Sequence, residues 1–299
     1  MLSFLPSYVK GVCSFLFYTI NSIILCLPLF LVAGIKLIVR IPVITDFCTK
    51  ALIFIASLWI SINSLNTCLF NKIEFDVRGL EKLEEKQWYL VLSNHQSWVD
   101  ILVLQKVLNR RVPMLKFFLK KELIWVPFLG FAWWALDFPF MKRYSRKFIK
   151  NNPHLKGKDF KKTKEACEKF KTTPVSIMNF VEGTRFTEKK QKQQGGNLRY
   201  LLKPRAGGVG FVLGSMGDIL HNILNITIVY PQKHATLWAF MSGTIKKIIV
   251  EIEVMPVTSA IKGDFSGDEA FKKRFCSWLN DLWKEKDNRI KQIMEEDMD

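Results

Sequence analysis

Two long stretches of this chain carry no charge. Every side chain between Lys10 and Lys36 is neutral, and the same holds between Lys50 and Lys72. Each gap is about as long as the roughly 20 residues a helix needs to cross the hydrocarbon of a bilayer. A cleaved signal peptide has one shorter apolar region and a small-residue cleavage site, so the first stretch is read as retained and the chain as membrane-bound. The connection between the stretches carries Lys36, Arg40 and Lys50 against Asp46, a balance that keeps it cytoplasmic. Pro28 and the Asn21-Ser22 pair interrupt the first stretch. Two arrangements stay open: bent helices lodged in one leaflet, or two spanning helices with a modestly basic outer loop. Both leave the bulk of the protein on the cytoplasmic side.

The chain has 44 Lys and Arg against 27 Asp and Glu, a net charge of +17, yet 49% of its 299 residues are hydrophobic. With 24 Phe and 9 Trp it has ample material for a buried core, which excludes a disordered polycation. Such an excess of positive charge suits an anionic lipid surface, where each Lys or Arg contributes about 1 kcal/mol. Zinc-finger, RNP-type and helix-turn-helix signatures are missing, so no nucleic-acid partner is expected. The six cysteines show no C-x-x-C pair and no spacing that closes a metal site or a disulfide framework, so they read as reduced thiols and no metal is expected.

After Lys72 short apolar runs alternate with amphipathic stretches, the pattern of an α/β domain. Residues 1–75 are therefore read as a membrane anchor of two hydrophobic helices and residues 76–299 as one α/β domain. Strands are expected at Trp88 to Leu92, Val175 to Val181, Ile223 to Val229 and Ile248 to Val254. A helix carrying Ile101, Leu104, Val107 and Leu108 follows the first strand, and another is expected over Asp159 to Lys171. Helices between strands point to a mixed, mostly parallel sheet flanked by helices. The aromatic stretch Phe117 to Phe140 either lines a groove for an acyl chain or is ordinary core. Asp268 to Met298 reads as one amphipathic helix that docks Phe271, Phe275, Trp278, Leu279 and Leu282 on the domain.

The chemistry concentrates at strand ends. Asn94-His95-Gln96-Ser97-Trp98-Val99-Asp100 joins an apolar strand to a helix. Residues five apart in a helix point about 140° away from each other, so His95 must precede the helix for Asp100 to reach it, with Ser97 as N-cap. Ser97-x-x-Asp100 also fits a capping box, which by itself accounts for an acid at Asp100. His154 to Asp159 repeats the spacing, but among Lys156, Gly157 and Lys158 with no strand before it, and reads as a solvated loop. Downstream, Val181 leads into Glu182-Gly183-Thr184-Arg185, a charged turn at a strand end, where open α/β sheets place ligands. Gly183 permits a tight turn and Arg185 offers a planar fork for phosphate. Lys142 and Arg143 add two cations after Phe140-Met141. P-loop and G-x-G-x-x-G patterns are missing, and Gly214-Ser215-Met216-Gly217 lacks the register of a hydrolase elbow.

With N-H-x-x-x-x-D and E-G-T-R both unsubstituted, the sequence resembles the PlsC-type glycerolipid acyltransferase superfamily from about Trp88 onward. Lys116-Phe117-Phe118-Leu119-Lys120, Ala135-Leu136-Asp137-Phe138-Pro139, Leu202-Lys203-Pro204-Arg205 and Trp283-Lys284-Glu285-Lys286-Asp287 bring it nearest the lysocardiolipin acyltransferase-like branch, including bacterial YihG-type proteins. Two blocks depart from the family pattern: Asp137 stands where a Gly is usual, and the fourth block is reduced to Ile228-Val229-Tyr230-Pro231. The resemblance implies the glycerolipid acyltransferase fold and a membrane-bound O-acyltransferase on a bacterial inner membrane. Its acceptor is a lysophospholipid, first of all 1-acyl-sn-glycerol-3-phosphate, with lysocardiolipin or lysophosphatidylglycerol as alternatives. Acyl-CoA or acyl carrier protein is the donor co-substrate and no cofactor is needed. His95 is then general base and Asp100 its orienting acid. Arg143 and Arg185, helped by Lys142, Glu182, Gly183 and Thr184, grip the phosphate, and Asn94 supports the His95 turn. The competing class is a catalytically silent lipid-binding membrane protein on the same fold.

Overall fold

The computed structural model describes residues 2, 4–141, 165, 167–168, 170–171, 173–195, 197–232 and 235–297. Both charge-free stretches are helices, α1 (Ser7–Ile38) and α2 (Pro42–Phe70), packed antiparallel. Pro42 opens α2 at the first helical position, where its missing N–H costs nothing. The expected interruption of the first stretch does not occur: α1 continues through Asn21, Ser22 and Pro28. Asn21 and Ser22 turn inward instead of breaking the helix. Asn21 Nδ2 donates to Asn63 Oδ1 at 2.8 Å, and Trp59 Nε1 donates to Ser22 Oγ at 3.1 Å. Asn66 Nδ2 donates to Ser14 Oγ at 3.2 Å one turn away. These bonds fix the register of two helices whose outer faces, with Phe15, Leu16, Ile20, Ile24, Leu27, Leu31 and Phe54, remain exposed.

In chain order the domain contains β1 (Glu74–Arg78), β2 (Tyr89–Ser93), α3 (Val99–Leu108), β3 (Leu115–Phe117), β4 (Leu119–Lys120), a 3₁₀ turn (Lys121–Trp125), α4 (Leu129–Ala135) and β5 (Phe140–Met141). Then come β6 (Ser176–Phe180), α5 (Glu188–Gln193), α6 (Ala206–Met216), β7 (Asn222–Val229), α7 (Leu237–Met241), β8 (Lys247–Pro256) and α8 (Glu269–Glu296). Six strands form one sheet in the order β1-β8-β7-β2-β6-β3, and β4 pairs with β5 separately. Every pairing in the sheet is parallel except β7 with β8. The sheet is thus mixed, mostly parallel and covered by helices, as the alternation of runs implied. The expected helix over Asp159 to Lys171 falls largely outside the described residues, as do His154 and Asp159.

All five residues of β2 are buried, which explains its unbroken apolar run: a central parallel strand has no wet face. Leu90 and Leu92 point into a core with Ile177, Val209, Phe275, Leu279 and Trp283. Tyr89 and Val91 point into the opposite core with Val103, Leu104, Ile226 and Ile248. Asp268 caps α8 by accepting from the amides of Ala270 and Phe271, each at 2.9 Å, and the helix docks its apolar face on the first core.

The hairpin touches the domain at both ends of α1. Near the start, the Tyr8 ring lies 5.8 Å from that of Trp238, and a Cβ on Gly11 would come within 2.7 Å of the indole, so a larger residue there would push the indole aside. Near the end, Lys36 Nζ donates to Asp137 Oδ2 at 2.9 Å, while Cys26, Leu29 and Ala33 pack with Ala132, Ala135 and Phe138. About 48 Å of helix therefore lies along the domain. The Phe117 to Phe140 stretch divides accordingly. Ala132, Ala135, Leu136 and Phe138 are core against the hairpin, whereas Trp125, Phe128, Phe131 and Trp134 are exposed.

Candidate active site

In the parallel register Ser93 lies opposite Phe180 on one side and Ile226 on the other, so β2 and β6 end together while β7 runs three residues further, to Val229. The chain leaves β2 as Asn94-His95, leaves β6 as Val181-Glu182-Gly183, and leaves β7 as Tyr230-Pro231. Asn94 locks the first exit to the third. Its Nδ2 donates to Ile228 O at 2.8 Å, and its Oδ1 accepts from the Ile228 amide at 2.9 Å.

His95 precedes α3, and its Nδ1 lies 2.9 Å from Asp100 Oδ2. The same carboxylate oxygen accepts from the amides of Gln96 at 2.7 Å and Ser97 at 2.9 Å, and Oδ1 accepts from the Tyr230 hydroxyl at 2.7 Å. Three donors besides the imidazole make Asp100 an acceptor only, so Nδ1 carries the proton and Nε2 the lone pair. Asp100 is fully buried, whereas the His95 side chain keeps 13% of its surface open. The imidazole stacks on Phe180 with centroids 3.9 Å apart, which fixes its plane. Burial and the adjacent Asp100 charge push the Tyr230 phenol well above its usual range, so it stays a donor. Ser97 accepts from the Val99 amide at 3.1 Å and donates to Ala235 O, but the N-cap of α3 falls on Trp98, one residue after the expected Ser97.

Glu182 has a different place from the expected phosphate grip. It is 1% exposed, and its two oxygens accept from the amides of His95 and Leu202, both at 3.0 Å. Burial pushes its carboxyl up to about 8 despite those amides. A buried carboxylate with both oxygens engaged cannot hold an anion; it ties the β2 and β6 exits together. Asn94 is likewise wholly buried. Gly183 adopts φ +67° and donates to Phe180 O at 2.8 Å, and a Cβ there would lie 2.9 Å from Arg205 Cδ. The turn thus needs glycine both for its conformation and for the close approach of Arg205.

Arg185 lies over Trp98, 4.7 Å from the ring centroid, on the rim beside His95. Lys190 Nζ donates to Thr184 Oγ1 at 2.8 Å and Arg185 O at 2.9 Å, so α5 braces the turn. His95, Trp98 and Arg185 open on a groove of about 510 Å³ walled by Phe117, Phe118, Met178, Phe180 and Phe211. A neighbouring cavity shares Lys120, Gly183, Thr184 and Arg205 with that groove and adds Lys190. Lys142 and Arg143 lie outside the described residues. Among the described residues no cluster of His, Cys, Asp or Glu is arranged to hold a metal.

Sequence reasoning gave no role to Tyr230, Trp98, Phe180 or Arg205. Two of them had signals: Tyr230 sits in the reduced fourth block, and Arg205 ends Leu202-Lys203-Pro204-Arg205. Asp137 shows why its position is usually glycine, because it adopts φ +57°, and an Asp tolerates that conformation better than most residues.

A His–Asp pair thus lies at the exits of parallel strands on an α/β domain and faces an apolar groove with a cationic rim. A family model described as Acyltransferase matches residues 74–231, more than half of the chain, and the chain belongs to that family. It is 28% identical over 244 residues to 1-acyl-sn-glycerol-3-phosphate acyltransferase 3 of Arabidopsis thaliana, covering 77% of this chain and 60% of that protein. Over 114 residues it is 32% identical to the mouse 1-acyl-sn-glycerol-3-phosphate acyltransferase alpha, covering 38% of this chain and 35% of that protein. The chain therefore spans less than two thirds of these relatives. Its fold matches the crystal structure of the 1-acyl-sn-glycerophosphate (LPA) acyltransferase PlsC from Thermotoga maritima, with a TM-score of 0.53 at 17% identity, covering 92% of this chain and 98% of that one.

Proposed function

We propose that the protein is a membrane-bound O-acyltransferase. It moves an acyl chain from acyl-CoA or acyl carrier protein to the free hydroxyl of 1-acyl-sn-glycerol-3-phosphate, giving phosphatidic acid. The observation that carries this reading is the His95–Asp100 pair, with Asp100 held by two amides and Tyr230 at the mouth of an apolar groove. Nε2 removes the acceptor's hydroxyl proton as the oxygen attacks the thioester carbonyl. The carbon–sulfur bond then breaks, and the proton passes to the departing thiolate. Asp100 stabilises the imidazolium in between, as the acid does in a Ser-His-Asp triad, but the nucleophile belongs to the substrate. Arg185 and Arg205 bind the acceptor phosphate, which positions the hydroxyl, and the groove takes the acyl chain. The scheme needs no cofactor.

The membrane arrangement follows from the hairpin. Because α1 is docked at both ends, a hairpin spanning the bilayer would draw Trp238 and Asp137 to opposite faces of it. That supports lodging in one leaflet, with the groove at the lipid surface and the domain cytoplasmic. Lysocardiolipin or lysophosphatidylglycerol is the alternative acceptor, since Asp137 stands where the second block usually has glycine.

The purified protein in detergent, given acyl-CoA or acyl carrier protein and a panel of lysophospholipids, is expected to make phosphatidic acid from lysophosphatidate, read by mass spectrometry. Product from another lysophospholipid alone would replace the acceptor. Lipid binding without product from any donor would favour the silent lipid-binding protein.

A further inference from the structure

The C-terminal helix carries two consecutive charges that do not face water. Lys286 and Asp287 of α8 are both buried, and among the described residues no carboxylate lies within 4.0 Å of the Lys286 ammonium. An ammonium kept in such a place costs several kcal/mol unless its surroundings compensate for the lost water.

Lys286 Nζ donates to Ile226 O at 2.7 Å and Thr227 Oγ1 at 3.0 Å, and lies 5.4 Å from the Trp283 ring centroid. Asp287 accepts from the amides of Arg199 and Tyr200, each at 2.8 Å. These contacts fall on the two segments that frame the site. From Thr227 the strand β7 continues to Ile228, which pairs with Asn94, and then to Tyr230, which donates to Asp100. From Tyr200 the chain continues to Leu202, whose amide donates to Glu182, and to Arg205 on the groove.

The acids that act on Lys286 come from two elements: Glu251 and Glu253 of β8, and Glu182 after β6. Glu251 is paired with Arg289 at 2.6 Å, and Glu253 accepts from Asn225 Nδ2 at 2.9 Å. Glu182 faces Asp100, which disfavours its charge, and Lys286, which favours it. Burial drives the two groups in opposite senses, the Lys286 ammonium down to about 7 and the Glu182 carboxyl up to about 8, and each charge favours the other.

We propose that Lys286 is a positioning residue for the acyl transfer, which fixes Asn94 and Tyr230 through its bonds to β7. This rests on the acyl-transfer reading above. Lysine suits the place because a single ammonium serves a strand carbonyl, a threonine hydroxyl and a through-space partner at once.

The test compares wild type, Lys286→Met and Lys286→Arg in detergent by steady-state acyl transfer across pH and by hydrogen–deuterium exchange. For Lys286→Met, kcat is expected to fall about 30-fold while KM for donor and acceptor stays within about threefold, with Lys286→Arg recovering most of the loss. The amides of His95 and Leu202 are expected to exchange at least about tenfold faster, a readout that needs no turnover. Wild-type exchange at both amides in Lys286→Met would overturn the proposal, and so would a kcat within about threefold of wild type. If wild type transfers no acyl group while exchange still responds to Lys286→Met, the acyl-transfer reading fails and the positioning role stands. Where Lys286→Met yields no folded protein, Thr227→Val takes its place. It is expected to speed His95 exchange, and wild-type exchange there would again overturn the proposal.

Discussion

Two kinds of construction meet at His95. Behind the imidazole, Asn94, Asp100, Glu182 and Tyr230 are buried, and the hydrogen bonds of the first three run chiefly to backbone amides and carbonyls. In front of it, Arg185 rests on an exposed Trp98, and Lys190 braces the turn through bonds that are only partly shielded. Backbone partners of a buried group cannot be replaced by side-chain adjustment or by water, so errors there are costly and local geometry is fixed. A guanidinium lying on an indole in water can be lost or moved at small cost. The rear half is therefore held rigidly and the front half loosely, which suits the proposed division between chemistry and headgroup recognition.

This contrast separates the expected effects of substitution. The largest belongs to Asp100→Asn, which keeps the shape but turns an acceptor into a donor facing two amides. Turnover is expected to fall about 10³-fold with the acceptor KM nearly unchanged. A comparable rise in KM instead would place Asp100 in binding and break the division. Next comes Arg185→Ala, expected to raise KM for a phosphate-bearing acceptor about 10- to 100-fold, the worth of a hydrogen bond to a charged group, with kcat within a few-fold. Titrating the acceptor at saturating donor separates the two parameters.

Glu182→Gln sharpens the comparison through pH. Since burial holds the Glu182 carboxyl near 8, it is ionised above that pH and takes up a proton as the pH falls through it. The amide substitution is therefore expected to cost about tenfold in kcat at pH 9 and progressively less towards pH 6, where wild type has itself lost the charge. A loss independent of pH would assign Glu182 a purely steric role. The smallest effect is that of Trp98→Ala, expected to raise the acceptor KM only about two- to fivefold, the value of an exposed cation–π contact.

How far the sequence carried differs between local and distant features. The strands with runs of β-branched residues were legible to within a residue or two, because central parallel strands must be apolar throughout. Edge strand β1, whose Glu-Phe-Asp-Val-Arg is half charged, and the three-residue β3 escaped for the opposite reason. Asn21 and Ser22 read as breaks because helical propensity says nothing of a partner helix. Their side chains satisfy each other's neighbours across about 40 residues of chain. The contact of His95 with Asp100 was legible because spacing and a strand-to-helix join together constrain five residues. Glu182 was visible as a residue but not in its role, since a motif does not disclose burial. Tyr230 and Lys286 lie in segments the family pattern marks, but they reach the site from 130 residues beyond Asp100 and from the far face of the sheet, so their partners were not legible.

The central claim is that His95 is the base and that binding does not depend on it. Its most direct test is pre-steady-state acyl transfer by wild type and His95→Ala, with lysophosphatidate binding measured on the same preparations. The account predicts that transfer falls at least about 10³-fold while the lipid dissociation constant stays within about threefold. Near-normal transfer by His95→Ala would contradict it.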